Sequence, residues 1–271
     1  MQVKDFEGAV VLVTGASTGL GRAIAVGAAE RGAQAVIVNY ARSADEAEET
    51  AAAVRAAGAE AVVVQGDVAR DADCARIADA AARFGRIDAL FNNAGITKFA
   101  PRHGDLDALT GEDFLRLYDV NVVGAWRMTK AARALLEAAE RSAEQGPAAV
   151  VNTSSIAGVT GIGSSVAYAA SKGALNTMTI SLARALAPRI RVNAVCPGYI
   201  DTPWHARAGE GYDAKLREGA AAGTPLKAAS SAEDIAASTL FLGSPLSRHV
   251  TGETLLVDAG THLGYAGLMA K

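Results

Sequence analysis

Three side chains in the stretch VVNTSSIAGVTGIGSSVAYAASK, residues 150–172, can act on one substrate atom: the hydroxyl of Ser155, the phenol of Tyr168 and the ammonium of Lys172. Tyr168 and Lys172 stand four apart in a segment of helical period, so both lie on one helix face, about 6 Å apart along its axis. A free tyrosine titrates near pH ~10, and a nearby ammonium favours its phenolate, so the pair predicts a tyrosine tuned for acid–base work. Ser155, thirteen residues before the tyrosine, follows the apolar strand-like run Ala148 to Val151. Its hydroxyl therefore projects from a strand end, where it can hold a carbonyl beside the phenol.

Such a site needs a frame that brings a strand end to a helix. Short Val/Ile/Leu runs near 9–13, 35–39, 60–64, 87–91, 148–153, 190–195 and 254–257 alternate with helical segments near 18–31, 43–57, 71–84, 111–141, 164–187 and 231–242. Repeated strand–helix–strand units of this kind predict an α/β fold on a parallel sheet. Runs such as AVVLV and AVVVQ lack polar alternation, as expected of strands covered on both faces. No Pro/Gly/Ser-rich linker divides the chain, so residues 1–271 are expected to form one domain. The loop after Gly95, the turn Gln145 to Pro147, the segment 196–225 and the tail 259–271 break the pattern and are where specificity is expected.

Composition narrows the partners. The chain has 271 residues with a formal net charge of −3, and neither sign forms a long block, so no nucleic-acid or membrane partner is expected. Cys74 and Cys196 lie far apart without metal-ligand spacing, which predicts no metal site and a reducing, cytoplasmic setting. The first apolar run is short and enters turn residues, so it reads as a strand and not as a signal peptide. No apolar stretch is long enough to span a bilayer.

The turn Thr14-Gly15-Ala16-Ser17-Thr18-Gly19-Leu20-Gly21 follows the first strand and opens the first helix, a placement that lets backbone amides and the helix N-terminus face a pyrophosphate. TGASTGLG, then Asn92-Asn93-Ala94-Gly95, Asn121, Ser155, Tyr168-x-x-x-Lys172 and Pro197-Gly198 resemble, in this order, the short-chain dehydrogenase/reductase family. The resemblance spans nearly the whole chain. It implies a Rossmann-type, doubly wound, seven-stranded parallel sheet of order 3-2-1-4-5-6-7 with helices on both faces, a nicotinamide dinucleotide cofactor and a homotetramer, with a dimer as the alternative. It further implies that Tyr168 is the acid/base, that Lys172 tunes it and bonds the nicotinamide ribose, that Ser155 polarises the carbonyl, and that Asn121 holds a water linking the lysine to solvent. Ser154 competes with Ser155, which the family's spacing favours. Asp67 is implied beside adenine and Asn93, Ala94 and Gly95 along the ribose, with Val68, Pro197, Gly198, Ile200 and Thr202 also binding the cofactor. Two plainer readings stand beside these: Asp67 as a cap for the helix starting near Asp71, and NNAG as a turn.

The second strand ends Asn39-Tyr40-Ala41-Arg42-Ser43, without the acid that accepts a ribose 2′-hydroxyl. Arg42 and Ser43 suit a 2′-phosphate, so NADP(H) is preferred and NAD(H) is the alternative; Thr18 stands where many NADP-using relatives carry a basic residue. The expected substrate is a small carbonyl compound or alcohol, in a pocket drawn from Thr97, Phe99, Ser155, Ile156, Tyr199, Trp204 and His205. A 3-oxoacyl-[acyl-carrier-protein] is the alternative substrate: Glu144-Gln145-Gly146-Pro147 argues against it, Arg102 and Arg189 for it. A non-catalytic NADP(H) sensor is the rival from another class, and the complete Asn, Ser, Tyr, Lys set argues against it. His103 and His205 are read as solvated loop residues, and the apolar tail as a subunit contact, a lid or a frayed end.

Overall fold

The computed structural model describes residues 4–139, 146–204 and 212–264. Strands β1 (Val10–Val13), β2 (Ala35–Tyr40), β3 (Glu60–Gln65), β4 (Ala89–Asn92), β5 (Ala148–Thr153), β6 (Ile190–Pro197) and β9 (Thr254–Val257) form one sheet in the order β3-β2-β1-β4-β5-β6-β9. Every adjacent pair is parallel. Two short strands, β7 (Ile200–Asp201) and β8 (Ser230–Ser231), pair separately, so the predicted seventh strand of the main sheet is the ninth in the chain.

Alternate residues of each strand feed opposite layers, as the two-residue period of a strand requires. Val11, Val13, Val36, Val38, Phe91, Val151 and Val195 pack with helices α1 (Gly19–Glu30), α2 (Ala44–Ala56) and α9 (Ala232–Gly243). Val10, Leu12, Ile37, Leu90, Val150 and Val192 pack with α3 (Asp71–Asp79), α5 (Ala125–Glu137) and α7 (Val166–Leu186). Two cores thus clamp the sheet, and the functional loops leave its carboxyl edge.

The helix expected over 111–141 is interrupted. It forms α4 (Gly111–Tyr118), a π-helical turn at Asp119–Gly124, and α5. The helix expected over 71–84 stops at Asp79 and is followed by a tight turn at Ala82–Phe84 that ends on Gly85 in the left-handed region, φ 70°. The segment 196–225, expected to be irregular, contains β7 and α8 (Tyr212–Gly223). A single turn, α6 (Ala157–Thr160), bridges β5 and α7 and was not anticipated, being too short to show a period.

Candidate active site

Helix α7 opens beside the end of β5. Ser165 caps it, its hydroxyl accepting the Tyr168 N–H at 3.1 Å, which satisfies one of the free donors of the first turn. The helix then presents Tyr168 and Lys172 on one side. The Lys172 nitrogen lies 5.6 Å from the centre of the Tyr168 ring and donates to the Thr153 carbonyl at 2.7 Å. Opposite placement on the helix, which would have removed any coupling, is therefore excluded.

The two adjacent serines, just past the end of β5, have different partners. Ser154 is buried and donates to the Lys172 carbonyl at 3.1 Å. The Ser155 hydroxyl accepts the Ala157 N–H at 3.1 Å and lies near enough to the Tyr168 phenol to favour its ionised form. Thus Ser155 meets the phenol while Ser154 ties strand end to helix.

Burial dominates the ionisation of both partners. It pushes the Tyr168 phenol up to about 12, against the opposing hydrogen bond from Ser155. It pulls the Lys172 ammonium down to about 8, partly offset by neighbouring Cys196. The expected lowering of the tyrosine by Lys172 is not met: loss of water around the phenol outweighs the one influence that lowers it, the hydroxyl of Ser155.

Asn121 lies buried in the π-helical turn. Its Oδ1 accepts the Ile96 N–H at 2.8 Å, and its Nδ2 donates to the Ile96 carbonyl and to Ser171 Oγ, each at 3.0 Å. Ser171 in turn donates to the Tyr168 carbonyl at 2.7 Å. A Cβ on Gly95 would sit 3.3 Å from Asn121 Oδ1 and 3.6 Å from Lys172 Nζ, so Gly95, Asn121 and Lys172 share one corner. Thr153, Ser165 and Ser171 escaped the sequence reading. Only Ser165, three residues ahead of the Tyr168 N–H it caps, carried a sequence signal.

The glycine turn is held from both sides. Gly15 has φ +61°, and a Cβ there would lie 3.0 Å from the Ala94 backbone; on Gly21 it would fall 2.2 Å from the Gly15 carbonyl oxygen. Asn93 Nδ2 donates to the carbonyls of Thr14 and Gly15, and the Thr14 hydroxyl accepts the N–H groups of Asn93 and Ala94. NNAG is thus a brace for the glycine turn as well as a turn. No side chain caps α1 at Thr18, which leaves the first amides of that helix as a ready anion site. Ser17 is fixed by its carbonyl accepting from Thr50, while Leu20 is buried against the core. Thr202 approaches Gly19, with its Cβ 3.4 Å from where a Gly19 side chain would begin.

Buried Asn39 accepts the Gly15 N–H and donates to the Gly66 carbonyl. Tyr40 ends β2, Ala41 and Arg42 are exposed, and Ser43 precedes α2 without capping it. Asp67 does not cap α3: its Oδ1 accepts the Ala69 N–H at 3.0 Å, and Arg70 occupies the cap position. Val68 is buried against Gly124. Pro197 ends β6, its carbonyl accepting the Ile156 N–H, and Gly198 packs on Asp258 ahead of Ile200.

Of the substrate-pocket residues, Trp204 lies 6.4 Å from Tyr168 between ring centres. Thr97 hydrogen-bonds Ser164, Tyr199 donates to Asp201 at 3.5 Å, and Ile156 begins the bridge to α6. Phe99 sits one residue before Ala100, whose N–H binds the Ser164 carbonyl. His103, expected to be solvated, is half-buried and pairs its Nε2 with the Gly163 carbonyl at 3.0 Å. His205, Glu144, Gln145 and residues 265–271 of the tail lie outside the described residues. Among the described residues no cluster suits a metal ion, and no helix is long and apolar enough to cross a membrane.

Comparison with known proteins agrees with this geometry. A family model described as enoyl-(acyl carrier protein) reductase matches residues 15–262. A ketoacyl reductase of the granaticin polyketide synthase of Streptomyces violaceoruber is 42% identical over 258 residues, covering 95% of this chain and 97% of the relative. An L-rhamnose 1-dehydrogenase (NAD(P)(+)) of a Sphingomonas species is 38% identical over 265 residues, covering 96% and 99%. The crystal structure of a short-chain dehydrogenase/reductase from Burkholderia xenovorans superposes with a TM-score of 0.86 at 39% identity, covering 94% of this chain and 98% of that one. Its relatives, its sheet order and its carboxyl-edge site together make this chain a member of the short-chain dehydrogenase/reductase family, oxidoreductases of the CH–OH/C=O class that bind a nicotinamide cofactor.

Proposed function

We propose that this chain, as one dinucleotide-binding domain, interconverts a small carbonyl compound and its secondary alcohol with NADP(H), Tyr168 handling the proton. The observation that carries the reading is the meeting of the Ser155 hydroxyl with the Tyr168 phenol on the side of the helix where Lys172 lies. When bound, the nicotinamide supplies or accepts the hydride.

Ser155 holds the carbonyl oxygen as negative charge builds on it. Tyr168, neutral below about 12, delivers its proton to that oxygen. Lys172, charged below about 8, supports the charge left on the phenol. Alcohol oxidation draws on the phenolate, the form that burial disfavours. Asn121 positions the corner at Gly95 and Ile96, and the water it is expected to hold would extend the path from Lys172. The uncapped start of α1, with Gly15 to Gly21, suits the pyrophosphate; Asp67 and Val68 take the adenine side, Asn93 to Gly95 the ribose, and Pro197, Gly198, Ile200 and Thr202 the nicotinamide side. Arg42 and Ser43 take the 2′-phosphate. Thr97, Phe99, Ile156, Tyr199, Trp204 and His205 line the substrate side.

A second reading, reduction of a β-ketoacyl thioester on a carrier protein, is favoured by the 42% identical ketoacyl reductase and by Arg102, whose side chain is 90% exposed. Purified protein assayed with NADPH and NADH against ketones, aldehydes, sugars and ketoacyl thioesters separates the two. Tight cofactor binding without turnover of any of them would favour the sensor. Exposed Leu115, Trp126 and Ile180 on α4, α5 and α7 support assembly as a homotetramer, tested by mass in solution.

A further inference from the structure

A cleft of about 370 Å³ opens where β2 and β3 end, and its walls carry three guanidinium groups, Arg42, Arg70 and Arg76, beside Gln65, Asp67 and Asp73. The three cations differ. Arg76 is committed, with Nη2 2.9 Å from Asp73 Oδ1 and both Nη2 and Nε donating to the Gln65 carbonyl. Asp73 is committed as well, its Oδ2 accepting the Asp67 N–H at 2.9 Å. The Asp67 carboxylate turns to the Ala69 N–H. Arg42 and Arg70 are exposed, and neither has an ion-pair partner among the described residues. Arg42 and Arg70 therefore face one cleft without a salt bridge of their own, Arg70 acting on Asp73 only from beyond ion-pair distance.

The cleft stands one side chain away from the glycine turn. Asn39 accepts the Gly15 N–H at 3.3 Å and donates to the carbonyl of Gly66, a lining residue, at 3.1 Å. A dinucleotide with its pyrophosphate on that turn brings its adenosine ribose to this side. The glycine turn itself offers Thr18 and no cation before Arg22, which is paired with Glu49 at 3.3 Å. The backbone of Arg70, by contrast, is anchored, its N–H bonded to the Asp67 carbonyl at 3.0 Å.

We infer that Arg70 is a specificity-determining residue, closing on the cofactor's 2′-phosphate from the wall opposite α2 and sharing that charge with Arg42. This rests on the reading of the site as an NADP(H) site. Two guanidinium groups on one phosphate give paired charge-assisted hydrogen bonds that a ribose hydroxyl cannot replace.

The test is a set of full-chain variants, Arg70→Gln, Arg70→Lys and Arg42→Gln, titrated by calorimetry with NADPH, NADH, adenosine 2′,5′-bisphosphate and 5′-AMP. Arg70→Gln is expected to weaken NADPH and the bisphosphate about tenfold or more, to leave NADH and 5′-AMP within about twofold, and Arg70→Lys to regain part of the loss. Wild-type preference for NADPH that survives Arg70→Gln but not Arg42→Gln overturns the inference and leaves the cofactor reading standing. Parallel loss of NADPH and NADH in Arg70→Gln overturns it too, since Arg70 would then serve the adenine or the loop. Equal wild-type affinity for NADPH and NADH sinks the NADP(H) reading itself, and the inference with it.

Discussion

The side-chain amide of Asn121 brackets the backbone of Ile96, accepting its N–H at 2.8 Å and donating to its carbonyl at 3.0 Å. Asn121 thereby does for the loop after β4 what a neighbouring strand would do, and the π-helical turn carries it there. Asn121→Ala leaves the two backbone groups of Ile96 without this partner and takes one donor from Ser171, which keeps its bond to the Tyr168 carbonyl, a cost of about 2–4 kcal/mol. Asn121→Asp keeps the acceptor for the Ile96 N–H but sets a buried carboxylate oxygen against the Ile96 carbonyl, and is expected to lose at least as much. Chemical denaturation measures both, and an alanine variant as stable as the parent would show that water replaces the bracket.

Removing only the Tyr168 hydroxyl tests the chemistry. Tyr168→Phe keeps the ring that Trp204 and Lys172 approach, so NADPH affinity is expected to stay within about twofold. Turnover of the best carbonyl substrate is expected to fall by at least about 10³-fold, the upper range for a lost general acid. Ser155→Ala is expected to lose about 10²-fold in kcat, the lower end of what one donor to a developing oxyanion contributes. A phenylalanine variant with more than a tenth of parental activity moves the proton donor elsewhere.

The pH profile of reduction follows from the two shifted groups. Tyr168, raised to about 12, remains a proton donor throughout the neutral range, so it imposes no alkaline limit below about pH 11. Lys172, lowered to about 8, is charged below that value and loses its charge above it. Since kcat/KM reports free-enzyme ionisations, it is expected to be level below about pH 7 and to fall tenfold per pH unit well above 8. A profile level to pH 10 would show that the lysine charge is not needed.

Gly21 tests the glycine turn by sterics alone. An added Cβ would lie 2.2 Å from the Gly15 carbonyl oxygen and 2.6 Å from Asn93 Nδ2, so Gly21→Ala must move backbone and its brace. Overpacking of this kind costs about 1–3 kcal/mol, or a Tm lower by about 2–5 °C for a domain of this size. Cofactor affinity should fall with it. An unchanged Tm, read by differential scanning calorimetry, would mean that the turn is pliant.

The order of the main-sheet strands and the longer helices was legible in the chain because the inner strands are buried on both faces and those helices carry their own period. Val10 to Val13 and Ala35 to Val38 announce themselves by composition, and the spacing of Tyr168 and Lys172 is a property of any helix. Other features depended on three-dimensional neighbours. The different surroundings of Ser154 and Ser155 depend on the chain just past β5, where one hydroxyl meets the Lys172 carbonyl and the other lies near the phenol. The break at Asp119–Gly124 answers to Ile96 and Ser171, distant in sequence from Asn121. The direction of the Tyr168 shift was decided the same way: a cation one helical turn away is visible in a sequence, whereas the removal of water from a phenol is the work of every element packed around it.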